Sequence, residues 1–195
     1  MKTVKMEDIL NNGEIRAEFL SALREGDIVI YPTDTVYGIG CIIEKEDSAR
    51  KIAEAKGRGP EKPFSIIIPS IDWIKENCLL SDFNLDLLKQ LFPGPYTAIL
   101  RAKKESRISS YVLSKEHTLG IRMPKNKLAD ILRKENLIVI STSVNLSGKE
   151  PATKIENVPE NIKNIASIAV DAGELKGPPS RIFDITTDKI EIIRS

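Results

Sequence analysis

Apolar residues along this chain switch repeatedly between helical and strand spacing. Ile15, Phe19, Ala22 and Leu23 share one helical face, and Gly26 is placed to stop that helix. Ile28-Val29-Ile30-Tyr31 is a short apolar run before Pro32, which predicts a buried strand entering a loop. Ile39 to Ile43 predicts the next strand, and Ala49, Ile52 and Ala53 give a helical stripe ending near Lys56-Gly57. Phe64 to Ile68 is a further buried strand, closed by Pro69; Leu85, Leu88 and Leu91 mark a helix ended by Pro93-Gly94-Pro95. Tyr96 to Leu100 and Thr118 to Met123 read as strands. A helix from Leu128 to Lys134 leads into the strand Leu137 to Ile140, and Ile165 to Val170, Ile182 to Ile185 and Ile190 to Ile193 are late strand candidates. Strands interleaved with helices imply an α/β sheet covered by helices, and the short late strands imply some antiparallel pairing. The polar stretch Lys103 to Glu116 is expected to be a mobile loop.

Composition narrows this picture. With 195 residues and no repeat or linker, residues 1–195 are expected to form one domain with a sizeable core. A net charge of +1 excludes a globally basic nucleic-acid binder but not a local cluster of cations. The N-terminus has no apolar signal core and no run approaches membrane-spanning length, so a cytoplasmic protein without a membrane contact is expected. Cys41 and Cys78 are isolated, which implies reduced buried thiols, and a single histidine, His117, argues against a multi-histidine metal site and against a Ser-His-Asp triad.

No Gly-x-x-x-x-Gly-Lys-Ser/Thr and no Gly-x-Gly-x-x-Gly after a strand is present, so a nucleotide would have to be held by side chains and irregular loops. Three segments are suited to that. Lys56, Arg58 and Lys62 lie in a Gly- and Pro-interrupted turn before an apolar strand, where Arg can grip phosphate in a fork and Lys can act as a point charge. The alternative for such a charge run is a solvated face. In either case Lys56 and Arg58 are expected to be removable without loss of the fold. Thr33, Asp34, Thr35 and Tyr37 follow a strand that breaks at proline, as a turn or as a polar lip for a ligand. Ser141-Thr142-Ser143-Val144-Asn145 follows the strand ending at Ile140, and carries more hydroxyls than a turn needs.

Taken as an ordered set, these segments resemble the YrdC/TsaC family of L-threonylcarbamoyladenylate synthases. The matching segments are Tyr31 to Gly40, Lys56-Gly57-Arg58 with Lys62-Pro63, Pro93 to Thr97, Gly120 to Pro124, Ser141 to Gly148, and Pro179-Ser180 with Ile182-Phe183-Asp184. The resemblance implies a twisted open mixed sheet with flanking helices and a basic concave cavity. It implies that L-threonine, bicarbonate or CO2, and ATP give threonylcarbamoyl-AMP and pyrophosphate, for downstream proteins that transfer the threonylcarbamoyl group to tRNA. By resemblance, Lys56, Arg58, Ser143 and Asn145 form the catalytic set; Thr35, Arg122, Ser141 and Ser180 hold threonine. Thr118, Ser143, Pro151 (through its carbonyl) and Arg194 join Arg58 and Lys62 around ATP. Mg2+ is expected on the triphosphate, held by phosphate and water, with no protein metal ligand. Some relatives carry a histidine where this chain has Ile67, and Ser143-Val144-Asn145 and Ser180-Arg181 stand where Ser-Ala-Asn and Ser-Thr are usual. The rival reading is a module that binds double-stranded RNA or tRNA through phosphate contacts, without catalysis.

Overall fold

The computed structural model describes residues 1–59, 62–104 and 108–194. Eleven strands form one mixed sheet: β1 Lys2–Lys5, β2 Val29–Pro32, β3 Tyr37–Gly40, β4 Ser65–Ile67, β5 Cys78–Leu79, β6 Tyr96–Ala102, β7 Thr118–Arg122, β8 Val139–Ser143, β9 Ile168–Asp171, β10 Arg181–Asp184 and β11 Glu191–Arg194. Their order is β1-β9-β2-β3-β8-β4-β7-β6-β10-β11, with β5 paired to β6. Parallel pairs (β1 with β9, β2 with β9, β4 with β7, β6 with β10) are mixed with antiparallel ones, as the mixed pattern of the sequence implies.

Because side chains alternate across a strand, the apolar residues divide between two faces. Ile28, Ile30, Ile66, Ile68, Ile140 and Ala169 belong to one core cluster. Their immediate neighbours Val29, Tyr31, Ile67, Val139, Ile168 and Val170 belong to the other. Helix α3 (Glu46–Lys56), with buried Ala49 and Ile52, covers the first face. Helices α2 (Gly13–Glu25) and α6 (Lys127–Lys134) cover the second through Phe19, Leu23, Leu128 and Leu132. Gly26 and Gly57 end α2 and α3 in left-handed conformation, as glycine allows. The helix predicted around Leu85 spans Asp82–Leu91, where Ser81 accepts a capping bond from the Asn84 amide. Both cysteines are free and buried.

Some elements depart from the sequence expectation. β1, β5 and the short helices Met6–Asn11, Ile71–Asn77 and Glu160–Lys163 carry too few periodic apolar residues to register in the pattern. The strand expected at Leu137–Ile140 extends to Ser143, so the three hydroxyl residues are part of β8 rather than a turn after it. The described parts of the Lys103–Glu116 stretch lack helix and strand, but Val112 is fully buried and the Phe64 amide donates to the Tyr111 carbonyl (2.7 Å). Residues 105–107 of that stretch lie outside the described residues, as do residues 60 and 61 of the basic turn. Among the described residues, no helix is long and apolar enough to cross a membrane.

β8 is the seam of the sheet. It pairs with β4 through Val139, Ile140 and Ser141, and with β3 through Thr142 and Ser143. Gly40 permits this: a Cβ there would lie 1.7 Å from the Ile140 carbonyl oxygen. Gly40→Ala is therefore expected to cost about 3 kcal/mol or more, because two backbones must separate. Gly148→Ala, at φ 79° with no neighbour within 4 Å, is expected to cost only about 1 kcal/mol from the left-handed conformation. Urea unfolding of both variants checks the contrast.

Candidate active site

One polar stripe crosses the second face of the sheet, beyond the reach of α2 and α6. The pairings Gly38 with Ser143, Ser141 with Ser65, and Ser65 with Gly120 put these residues on one face. Arg122, two residues beyond Gly120, shares that face. Ala98 pairs with Ile121, which brings neighbouring Thr97 to it as well. Thr97 pairs with Ile182, and Ile182 with Arg194. Small and hydroxyl side chains thus floor a cavity of about 140 Å³, walled by Thr33, Thr35, Arg58, Arg122, Pro179, Ser180 and Arg194. Apolar residues one register step further along β4 and β8, Ile67 and Val139, remain under the helices.

Arg122 dominates one end. Its Nη2 donates to Asp34 Oδ1 at 3.0 Å and to Thr35 Oγ1 at 3.3 Å. Both members of this ion pair have side chains only 9% exposed. Asp34 Oδ2 accepts from the Lys125 amide (2.9 Å), and Asn126 Nδ2 donates to the Pro32 carbonyl (2.9 Å). The loop after β2 is thereby clipped to the loop after β7. Arg122 Nε is buried and has no hydrogen-bond partner among the described residues. Burial pulls the Arg122 pKa below its ordinary value, and Asp34 opposes that shift.

The other walls are hydrogen-bonded into place. Thr33 Oγ1 contacts Thr35 Oγ1 at 2.9 Å and donates to the Val36 carbonyl at 2.7 Å. Ser180 Oγ lies 2.9 Å from Thr97 Oγ1, and Arg194 Nε and Nη2 both donate to the Ser180 carbonyl at 2.9 and 2.7 Å. Arg58 donates from Nε and Nη2 to the Lys62 and Pro63 carbonyls at 2.6 and 2.7 Å, with its guanidinium 5.0 Å over the Phe64 ring. The connection from β9 to β10 spans most of the sheet and presses Gly177 against Thr35, where an added Cβ would sit 3.2 Å from the Thr35 backbone. Tyr37 anchors the start of that connection. Burial pushes its phenol up to about 12, so the protonated hydroxyl donates to the Gly173 carbonyl at 2.8 Å while accepting from the Ala172 amide at 2.9 Å.

Of the residues given a catalytic, ATP or threonine role from the sequence, Thr35, Arg58, Arg122, Ser141, Ser143, Ser180 and Arg194 line this cavity. Five others do not. Lys56 is the largest departure. It is 2% exposed, and its Nζ donates to the Ser143 carbonyl, the Asn145 carbonyl and Asn145 Oδ1 at 2.5, 2.8 and 3.0 Å. It is a buried clamp on the end of β8, not a cation in an open turn. Half-buried Asn145 is engaged by the protein itself, accepting from Ser143 Oγ (2.7 Å) and donating to the Lys149 carbonyl. Thr118 Oγ1 sits 2.8 Å from Ser114 Oγ at the opposite end of β7 from Arg122. Lys62 borders an adjacent hollow that shares Arg58 with the cavity and is lined by Phe64 and Tyr111. Half-buried Pro151 precedes Ala152, whose amide donates to the Val144 carbonyl (2.8 Å). Ile67, paired with Arg122, packs in the apolar cluster.

Sequence reasoning left Ser65, Thr97 and Thr142 without a role, though all line the cavity. Thr142 and Thr97 lay in segments already singled out, and Ser65 was signalled only as a hydroxyl in the otherwise apolar run Phe64 to Ile68. The lining offers hydroxyls and guanidinium groups but no carboxylate, and no group of His, Cys, Asp or Glu suited to a metal ion occurs among the described residues. The donor set therefore does not fit a metal held by the protein.

Comparison with known proteins accords with this arrangement. The family model Sua5_yciO_yrdC, described as telomere recombination, matches residues 21–195. The chain is 33% identical over 169 residues to the threonylcarbamoyl-AMP synthase of Bacillus subtilis, covering 86% of this chain and 49% of that one. It thus spans about half the length of that relative. It is 32% identical over 199 residues to a putative threonylcarbamoyl-AMP synthase of Methanocaldococcus jannaschii, covering 99% and 92%. Among solved structures, Pyrococcus abyssi Sua5 complexed with L-threonine superposes with a TM-score of 0.83 at 27% identity, covering 99% of this chain and 56% of that chain. Escherichia coli YciO has the same fold, with a TM-score of 0.84 at 24% identity over 93% and 89%. With its polar stripe, its two clipped loops and a family match from α2 to the C-terminus, the chain belongs to the Sua5/YciO/YrdC family.

Proposed function

We propose that this chain is a threonylcarbamoyl-AMP synthase, joining L-threonine, bicarbonate or CO2, and ATP into threonylcarbamoyl-AMP with release of pyrophosphate. The observation that carries the reading is the buried Arg122 with an unpartnered Nε, in one cavity with Arg58 and Arg194. A guanidinium matches a carboxylate by charge and charge-assisted hydrogen bonding, which assigns the Arg122 end to threonine, with Thr35, Ser141 and Ser180 supplying hydroxyls. The Arg58, Ser143 and Arg194 end takes the nucleotide, and Lys62 in the adjoining hollow continues the cationic path.

The chemistry needs no protein nucleophile. The threonine amine adds to CO2 to give a carbamate, a carbamate oxygen attacks the α-phosphorus of ATP, and the bond to pyrophosphate breaks. What the protein supplies is proximity and a fixed positive field at the phosphates. Magnesium accompanies ATP on its phosphates, since the lining has no carboxylate to hold it. A small cavity with inward guanidinium groups suits a compact anion rather than an RNA duplex, whose phosphates need cations on an outer surface. We place the product with tRNA threonylcarbamoyl-transfer proteins, in the cytoplasm.

Pyrophosphate release should require threonine, bicarbonate and ATP together, and should vanish when any one is omitted. Arg58→Ala should lower kcat by about 10²-fold or more, the usual loss when one fixed charge on the transition state is removed. Release without threonine, or an unimpaired Arg58→Ala enzyme, would overturn the assignment.

Lys56 acts on this site from beneath, holding the backbone of Ser143 and Asn145. Lys56→Met would take the lysine donor from the Ser143 and Asn145 carbonyls, at roughly 1–3 kcal/mol each before relaxation, while Asn145 Oδ1 keeps its bond from Ser143 Oγ. It should therefore destabilise the fold as well as reduce activity. Burial, reinforced by Arg58, lowers the Lys56 pKa from 10.5 to about 7. The unfolded chain binds that proton up to the higher value, so stability contributed through this group rises with pH between the two. Urea unfolding at pH 6.5 and 9 should show this rise in the wild type and its loss in Lys56→Met.

A further inference from the structure

The group that holds Arg122 does not itself line the cavity. Asp34 lies behind the guanidinium, and its two oxygens have different partners. Oδ1 takes Nη2 of Arg122 (3.0 Å), and Oδ2 takes the backbone amide of Lys125 (2.9 Å), three residues further along the same loop. One carboxylate thus fixes both the side chain of Arg122 and the main chain that carries it. Thr35 Oγ1 takes a second Nη2 bond (3.3 Å), and the Asn126–Pro32 bond repeats the tie between the loops. With Nη2 engaged on the protein side, Nε is left buried without a protein partner. A buried donor without a partner is costly, and a ligand acceptor relieves that cost.

We propose that Asp34 is a positioning residue for the reaction: from behind the cavity it sets the Arg122 guanidinium to receive the carboxylate of the amino-acid substrate. The proposal rests on the reading that Arg122 binds that carboxylate. A long, rotamer-rich side chain binds more tightly when its geometry is fixed before the ligand arrives. Asp34 also offsets the charge of Arg122 in a cavity that holds two further guanidinium groups, Arg58 and Arg194. That leaves the threonine end matched to a singly charged carboxylate and the other end to phosphate.

The test is calorimetric titration of L-threonine, and separately of ATP, into the wild type, Asp34→Asn, Arg122→Ala and the double variant, together with steady-state kinetics. Asp34→Asn should weaken threonine binding about 10-fold or more and leave ATP binding within about 2-fold, the scale expected when one partner of a buried charge pair is lost. In turnover the change should fall on KM for threonine, with kcat at saturating threonine largely kept. The double variant should bind threonine no more weakly than Arg122→Ala alone, because Asp34 acts through Arg122. Retained ATP affinity reports that each variant is folded. Wild-type threonine affinity in Asp34→Asn, or losses that add in the double variant, would overturn the proposal. If Arg122→Ala itself keeps threonine affinity, the carboxylate reading of Arg122 fails instead. Should Asp34→Asn not fold, Asp34→Glu takes its place. It keeps the charge but moves it by one methylene, and unchanged threonine affinity there would likewise overturn the proposal.

Discussion

The buried ion pair between Asp34 and Arg122 is the constraint on which the rest of the site depends. It joins the turn between β2 and β3 to the end of β7, with β8 and β4 lying between β3 and β7 in the sheet. Two charges at 3.0 Å and 9% exposure are not a cheap source of stability, since desolvation offsets most of their attraction. Removing one partner is a different matter: an uncompensated buried charge costs about 3–5 kcal/mol. The pair therefore fixes geometry more than it adds stability. It orients a guanidinium over the polar stripe and commits one of its nitrogens to Asp34 and Thr35.

The floor beneath that guanidinium follows from strand alternation. Gly38, Ser143, Ser141, Ser65 and Gly120 come from four strands, yet their registers place them on one face. One residue along, the same strands turn Ile39, Ile66, Ile121 and Ile140 into the core of the other face. Helices cover the apolar stretch of this face and leave the hydroxyl stretch uncovered, and the β9–β10 connection closes over it with Gly177 against Thr35. Ser180 and Arg194 complete the wall through the two last strands. Lys56 holds the seam from below through its contacts with oxygens of Ser143 and Asn145.

Much of the fold was legible in the sequence because apolar runs such as Ile28–Tyr31 and Phe64–Ile68 carry their own period and boundaries. The caps at Gly26 and Gly57 were equally plain. What was hidden was pairing. Nothing local says that Ser65 lies beside Ser141, or that β8 passes from β4 to β3 over Gly40. The hydroxyl-rich run after Ile140 was visible as unusual, but its place inside a strand rather than after one depended on that pairing. The same limit explains Lys56. In sequence it sits in a basic, glycine-interrupted turn, which reads as solvated. Its burial follows from the oxygens of Ser143 and Asn145, 87 and 89 residues away, and these no local pattern can reveal. Asp34 was visible as part of a turn or a polar lip, but not as the partner of Arg122, which is 88 positions distant.

The Arg122 guanidinium is the proposed contact for an amino-acid carboxylate, and its Nε–H can be observed directly. In protein labelled with 15N-arginine, the Arg122 Nε–H resonance is assigned by its absence in Arg122→Lys. Addition of L-threonine should move that resonance downfield and slow its exchange with water, as a buried donor gains a charged acceptor. A resonance that stays in place at saturating threonine, while threonine is bound, would contradict the account.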